Sequence, residues 1–325
     1  MRSIAGAIAD DPRCVSIHPA IDHALSACAP RVGRRADEVI RAMLAERLAS
    51  DEPDAWGGSR LTGDGFPFEV AFCTSDDRLR FTLEPGAIDL DPRRRLDVAS
   101  ELIDQVSEVS VPRELLDDLR AMQSDAPLKY GGWIGCRIGE PDSTFKLYVE
   151  VPPGGRTEAF DAAPLARGDR AVVPRMIAYT PTTKVFESYV RVPSLEPHNL
   201  PAELARAGME AQAPWLLDFV EEAYGHAVRG RLPGPSVGVS YVSGPTPPRV
   251  TLHFYARALW GSDARIRRGF WRIARTFGWD AQVYLDVTAP IAERESWRCF
   301  HGLFGITLDR SSPTSLTIGV RPVAP

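Results

Sequence analysis

The sequence predicts an α+β fold in which ten antiparallel strands close into a barrel and helices cover its outside. Three observations predict it. Strand–turn–strand units recur five times, at a spacing of roughly sixty residues. Helical stretches separate most of these units. The second strand of each unit alternates at period two between an apolar face and a face of charges, tyrosines and hydroxyls. With helices outside, the apolar face must meet them and the polar face must line a lumen. Closure also removes exposed strand edges.

Taken in order, residues 3–9 form a short apolar run ended by Asp10 and Asp11, too short and too soon acidic for a signal peptide. Residues 16–50 carry Ile21, Leu25, Val39, Ile40, Met43, Leu44 and Leu48 at helical spacing, with a break expected near Pro30. Residues 1–60 are read as a helical segment packed on the barrel, and residues 61–325 as a single barrel domain. The first hairpin joins 66–73 and 78–84 through Thr-Ser-Asp-Asp. A helix follows over 92–109. The second hairpin joins 132–138 and 145–151. Residues 155–168 are short and ambiguous. The third hairpin joins 175–179 and 184–191. The stretch 201–224 reads as a strong helix with Leu204, Met209, Trp215, Leu216, Phe219 and Val220 on its apolar stripe, kinked or split at Pro214. The fourth hairpin joins 237–242 and 249–257, and a helix over 263–277 follows. Arg265, Arg267, Arg268, Arg272 and Arg275 read as its solvated basic face. Trp260, Trp271 and Trp279 are expected in the core beneath the helices. The fifth hairpin joins 303–308 and 315–321.

Composition narrows the function classes. The chain of 325 residues is 44% hydrophobic and 25% charged, which fits a globular protein with a substantial core. A net charge of -5 argues against a general nucleic-acid binder. No apolar run approaches a membrane span. The five cysteines form neither a CxxC nor a disulfide framework, so a reduced, cytoplasmic setting is expected. No P-loop, dinucleotide-binding GxGxxG, GxSxG elbow or His/Cys metal spacing is present.

The alternation points Arg80, then Lys146, Tyr148 and Glu150, then Glu187, Tyr189 and Arg191 inward. Arg249, Thr251, His253, Tyr255 and Arg257 follow, then Thr317 and Arg321. Several cations and tyrosines in one lumen suit an anion beside an aromatic or apolar group. Trp133 shares this parity and can stack on an aromatic ligand or pack. A lone strand glutamate such as Glu69 is ordinarily a surface residue, and His253 alone is ordinarily structural.

On these residues the sequence resembles the ABBA-fold aromatic prenyltransferases, closest to their dimethylallyltryptophan synthase-like branch. Leu61-Thr-Gly-Asp-Gly-Phe-Pro-Phe-Glu-Val-Ala-Phe is similar to that branch's first strand, and Arg78-Leu-Arg-Phe-Thr-Leu-Glu-Pro to its second. Lys146-x-Tyr148 matches its K-x-Y strand, and Tyr189 the tyrosine of its third repeat. Glu187 stands where the family carries a cation, and Ser315, Thr317 and Gly319 stand where it carries tyrosines.

The resemblance implies a ten-stranded barrel that moves a dimethylallyl group, or a longer prenyl chain, from its diphosphate to an indole, as free tryptophan, in a cyclic dipeptide or in a peptide. It implies Glu69 as the catalytic carboxylate at the indole N–H. It implies Arg80, Lys146, Tyr148, Tyr189, His253, Tyr255 and Arg257 around the diphosphate, and Trp133, Glu187 and Thr251 in the acceptor pocket. Arg and Lys suit the charge that develops on a diphosphate leaving group, and tyrosine rings suit an allylic cation. There is no DDxxD ligand set, so no metal is required of the protein, though Mg2+ can arrive with the diphosphate. Two alternatives stand beside this one: a phenol- or naphthol-directed enzyme of the same fold, and a non-catalytic ligand-binding barrel.

Overall fold

The structure is a computed structural model. It describes residues 17–50, 55–124, 126–139, 143–155, 157, 160, 172–243, 248–310 and 314–325, with the side chains of 29–34 left aside. The apolar run 3–9 and most of the ambiguous stretch 155–168 lie outside the described residues.

Ten strands form one closed antiparallel barrel in which every strand pairs with its neighbours in sequence and β1 pairs with β10. The strands are β1 (Phe68–Cys73), β2 (Leu79–Leu83), β3 (Gly132–Ile138), β4 (Thr144–Glu150), β5 (Val173–Thr180), β6 (Val185–Pro193), β7 (Ser236–Ser243), β8 (Arg249–Tyr255), β9 (His301–Asp309) and β10 (Ser315–Val320). The five hairpins are those read from the alternation. Closure rests on the register Val70↔Val320, Ala71↔Gly319, Phe72↔Ile318 and Cys73↔Thr317. Leu147, Val149, Val190, Val250, Leu252, Phe254, Leu316 and Ile318 are almost wholly buried against the helical layer. The core therefore lies between barrel and helices, and the lumen is left to the polar faces.

The helices are α1 (Pro19–Met43), α2 (Ala45–Leu48), α3 (Pro92–Val106), α4 (Arg113–Ser124), α5 (Leu200–Ala205), α6 (Ala213–Tyr224), α7 (Ala256–Trp260), α8 (Asp263–Ala274) and α9 (Gln282–Val287). Several depart from expectation. α1 runs through Pro30 without a break. Ile21, Ala24 and Cys28 before it, and Ala36, Val39, Ile40 and Met43 after it, are all buried, so both halves are pinned to one core. The stretch 201–224 is split, as expected, but the break falls ahead of Pro214: Gly208 takes a positive φ of 62°, and Pro214 sits in the first turn of α6, where a missing N–H costs nothing. Trp215 is 42% exposed and Trp271 39% exposed, so neither belongs to the core. Arg267 leaves the basic face of α8 to donate to Thr288 Oγ1 and the Leu285 carbonyl.

Two buried polar networks fasten this layer to the barrel. The Tyr284 hydroxyl meets His301 Nε2 at 3.0 Å, and His301 Nδ1 meets Asp263 at 2.7 Å, tying α8 and α9 to β9. The second gathers on Glu84, the carboxylate of the Arg-x-x-x-Glu-Pro stretch. Arg47 donates to it at 3.2 Å, Arg95 stands at 3.6 Å, and Trp133 Nε1 donates at 3.2 Å. All three charged residues are 5% exposed or less. Removing one charge strands the other two without solvent. We expect Glu84→Gln to lower the unfolding free energy by about 3–5 kcal/mol, measured by denaturant titration. A loss below about 1 kcal/mol, the range of an exposed pair, would show that the network is solvated.

Candidate functional site

The strand ends that the five hairpins join lie at one end of the barrel, because each odd strand runs toward it and each even strand away. Along each strand the lumen-facing residues then fall into levels. Nearest the turns are Arg80, Arg137, Arg249 and Asp309. Next come Lys146, Glu187, Thr251, Thr307 and Thr317. Tyr148, Tyr189, His253 and Gly305 lie deeper, and Arg191, Tyr255 and Trp133 lie at the far mouth. Glu69 sits toward that mouth on β1.

At the turn end, Arg80 reaches Asp76 at 2.5 Å, and Arg137 and Arg78 approach the same carboxylate at 3.9 and 4.0 Å. Burial would raise the Asp76 pKa, but the arginines outweigh it and hold it below its ordinary value. Arg137 faces Arg80 across the β2–β3 ladder. Sequence reading passed over it, although its period-two phase with Trp133 on β3 carried the signal. Arg249 pairs with Asp309 at 3.1 Å.

The next level is one connected chain. Lys146 Nζ donates to Glu187 Oε2 at 2.7 Å, Ser240 Oγ donates to Glu187 Oε1 at 2.6 Å, and His253 Nε2 lies 3.2 Å from Ser240 Oγ. Burial pushes the Glu187 carboxyl up, and Lys146 with the two hydrogen bonds outweighs it, leaving the pKa at about 2. Burial likewise works against the Lys146 charge, and Glu187 outweighs it, so the ammonium is raised. Both stay ionised at neutral pH. Tyr148 and Tyr189 meet edge-on at 5.8 Å, and Lys146 stands 5.7 Å from the Tyr148 ring. Gly135 makes room for that ring: a side chain there would run into Tyr148. The Tyr189 and His253 rings are 5.7 Å apart. Thr251 bonds Thr307 at 2.9 Å.

Glu69 is a carboxylate of another kind. Gly302 and Gly319 face it, and its oxygens fill the space that a Cβ at either position would need. That accounts for the glycine at 319: a tyrosine there would displace the carboxylate. Among the described residues Glu69 has no salt-bridge or hydrogen-bond partner, and burial alone raises its pKa from 4.5 to about 7. The preceding Leu-Thr-Gly-Asp-Gly stretch is the turn that aims it. Thr62 Oγ1 bonds the Phe66 carbonyl at 2.8 Å, Gly65 takes a positive φ of 90°, and Asp64 holds Arg321 at 3.0 Å.

Three expectations need correction. Arg257 is not on a lumen strand: β8 ends at Tyr255, and α7 carries Arg257 outward to solvent. Tyr255 accepts from Arg191 at 2.9 Å at the mouth, so it does not converge with Arg80. Glu150 turns out of the lumen to accept from the backbone N–H groups of Lys129, Tyr130 and Gly131, at 2.7–3.0 Å. Trp133 lines the mouth, stacked on Tyr130 at 4.0 Å. Among the described residues no three His, Cys, Asp or Glu side chains converge as a metal site. Asp76 and Glu187 are committed to arginine and lysine partners instead. No described helix is long and apolar enough to cross a membrane.

No model of a known protein family matches the chain, and neither does any curated protein. Solved structures do resemble it. PriB, in a binary complex with product diphosphate, superposes with a TM-score of 0.73 at 18% identity, covering 94% of this chain and 98% of PriB. The 6-dimethylallyltryptophan synthase from Micromonospora olivasterospora, in complex with DMASPP and Trp, gives 0.74 at 16%, covering 96% and 100%. The 5-dimethylallyltryptophan synthase from Streptomyces coelicolor gives 0.72 at 15%, covering 93% and 95%. The chain therefore has the ABBA, or PT-barrel, fold along nearly its whole length.

The raised Glu69 pKa has a stability consequence. The folded state binds this proton more tightly than the unfolded chain. Stability therefore falls as pH rises from about 4.5, the unfolded value, through about 7. Glu69→Gln abolishes that loss. We expect the Tm gained by the variant over the wild type to be larger at pH 8 than at pH 5. An equal difference at both pH values would show that Glu69 is solvated.

Proposed function

We propose that this protein is an aromatic prenyltransferase that moves a dimethylallyl group from its diphosphate to an indole-type acceptor. One observation carries the reading: cations gather in the turn-side half of the lumen in excess of the carboxylates that pair with them, and the catalytic-candidate carboxylate stands apart from that cluster. Arg80, Arg137, Lys146 and Arg249 crowd the turn-side half, and Glu69, a carboxylate with no partner among the described residues, lies against Gly302 and Gly319 toward the far mouth. A diphosphate and an N–H donor would be sorted to opposite ends, with Tyr148 and Tyr189 between them. The ligands of the similar structures, product diphosphate in one and DMASPP with Trp in another, support the same pairing here.

In this reading the C–O bond of the donor breaks toward the cations, which stabilise the charge gathering on the departing diphosphate. The Tyr148 and Tyr189 rings flank the allylic cation and exclude water. Glu69 accepts the acceptor's N–H and raises the electron density of its ring. Lys146 and Arg80 serve the diphosphate while still bonded to Glu187 and Asp76, and Arg137, 3.9 Å from Asp76, adds a cation that is less tightly held. Mg2+ would come with the diphosphate, since the carboxylates near it are already paired. The thiols of Cys73, Cys136 and Cys299 are free, which supports a reducing, cytoplasmic setting.

The test is incubation with dimethylallyl diphosphate and a panel of indoles, phenols and naphthols, followed by mass spectrometry. A gain of one prenyl unit on an indole is expected. Product on naphthols alone moves the acceptor class, and binding without turnover, unaltered by Glu69→Gln, overturns the enzyme. We further expect kcat/KM to rise with pH through about 7 as Glu69 ionises, with this limb missing in Glu69→Gln. Arg80→Ala is expected to lower kcat about 10²- to 10³-fold, the scale for losing one stabiliser of developing charge.

A further inference from the structure

The Lys146–Glu187–Ser240–His253 chain determines where the protons are. Glu187 is ionised, so it only accepts hydrogen bonds. The Ser240 hydroxyl must give its one proton to Glu187 Oε1, 2.6 Å away. Ser240 Oγ is then the acceptor for His253 Nε2 at 3.2 Å. His253 is thereby held as the Nε2–H tautomer, and Nδ1 keeps its lone pair. Nδ1 has no hydrogen-bond partner among the described residues. It faces Gly305, where a Cβ would stand 3.5 Å away.

Glu69 and Nδ1 border the same glycine-bearing stretch of β9 and β10. Glu69 fills the space beside Gly302 and Gly319, while Nδ1 borders Gly305, which abuts Thr317. Thr317 and Gly319 are two residues apart on β10, about 7 Å at the strand rise. That step is comparable to the length of a fused bicyclic ring. A ring spanning from Glu69 past Thr317 would hold its N–H at the carboxylate and present its carbocyclic edge to His253.

We propose that His253 Nδ1 is the base that removes the ring proton after prenyl transfer, an assignment that rests on the prenyltransferase reading above. The balance is complete. A ring π pair forms the new C–C bond while the donor's C–O bond breaks with its pair left on diphosphate. The alkylated carbon then gives up its hydrogen as a proton, the C–H pair returns to the ring, and the Nδ1 lone pair takes the proton. The imidazolium formed is stabilised through Ser240 by Glu187, opposed by Lys146, and passes its proton to water or to the released diphosphate. Burial keeps His253 at about pKa 4, so the ring is neutral and available at pH 7. A ring cation is a far stronger acid than imidazolium, so a weak base suffices.

Two measurements decide it. In the wild type, 15N NMR of the imidazoles is expected to show His253 protonated on Nε2 alone, and a protonated Nδ1 overturns the assignment whatever the activity. In the second, the acceptor is deuterated at the alkylated carbon. His253→Ala is expected to lose about 10²- to 10⁴-fold in product formation, to gain a primary isotope effect absent from the wild type, and to recover rate with added imidazole. Wild-type rate in the variant, or a loss with no isotope effect, overturns the role of His253 alone. If the wild type turns over no acceptor in the panel, the underlying reading fails and this assignment falls with it.

Discussion

The pairing of β1 with β10 is the constraint on which the molecule depends. An open sheet of these ten strands would send its charged face into water, and its arginines, lysine and carboxylates would be an ordinary solvated surface. Closure turns that face upon itself. Charges that water would have screened now meet across a narrow lumen, where their mutual effects are larger. The pKa shifts at Glu69, Glu187 and His253 all follow from this enclosure, and their different directions follow from their different partners.

Enclosure also explains why the lumen is built from compensated charges. Asp76 holds Arg80, Glu187 holds Lys146, and Asp309 holds Arg249. A ring of bare cations would repel itself and strain the closed sheet. Glu187, the residue that departs most plainly from the resemblance, has a physical role on this account. It neutralises Lys146 and, through Ser240, orients His253. The glycines of β9 and β10 do the complementary work, because they leave room for groups on other strands. Gly319 and Gly302 admit the Glu69 carboxylate, and Gly305 admits the Thr317 hydroxyl beside His253. A repeat that looks depleted as a string of letters makes room for the Glu69 carboxylate and the Thr317 hydroxyl.

Much of the fold was legible because strand alternation is local. The apolar phase of residues 145–151, 249–255 and 315–320 could be read from neighbours two apart, and it selects which side chains face inward whatever the strands pair with. The first-repeat motif was legible for the same reason: Thr62, Asp64 and Gly65 form one turn, and that turn delivers Glu69. Helix ends were less legible. Pro30 and Pro214 look alike as letters, yet α1 continues through the first and α6 begins at the second, because what decides is whether both flanks bury against the same core.

The sequence by itself determined the alternation, the five hairpins, and hence an inward set containing Arg80, Lys146, Tyr148, Glu187, Tyr189 and His253, since these rest on spacing within a few residues. Tertiary structure decided which of those residues meet. That Glu187 binds Lys146, that Ser240 joins them to His253 and that Glu150 folds onto a backbone loop depend on register and stagger between segments 13 to 53 residues apart, and that Arg257 leaves on a helix depends on where β8 ends. Such long-range register is set by closure of the whole barrel, which no local window of sequence contains.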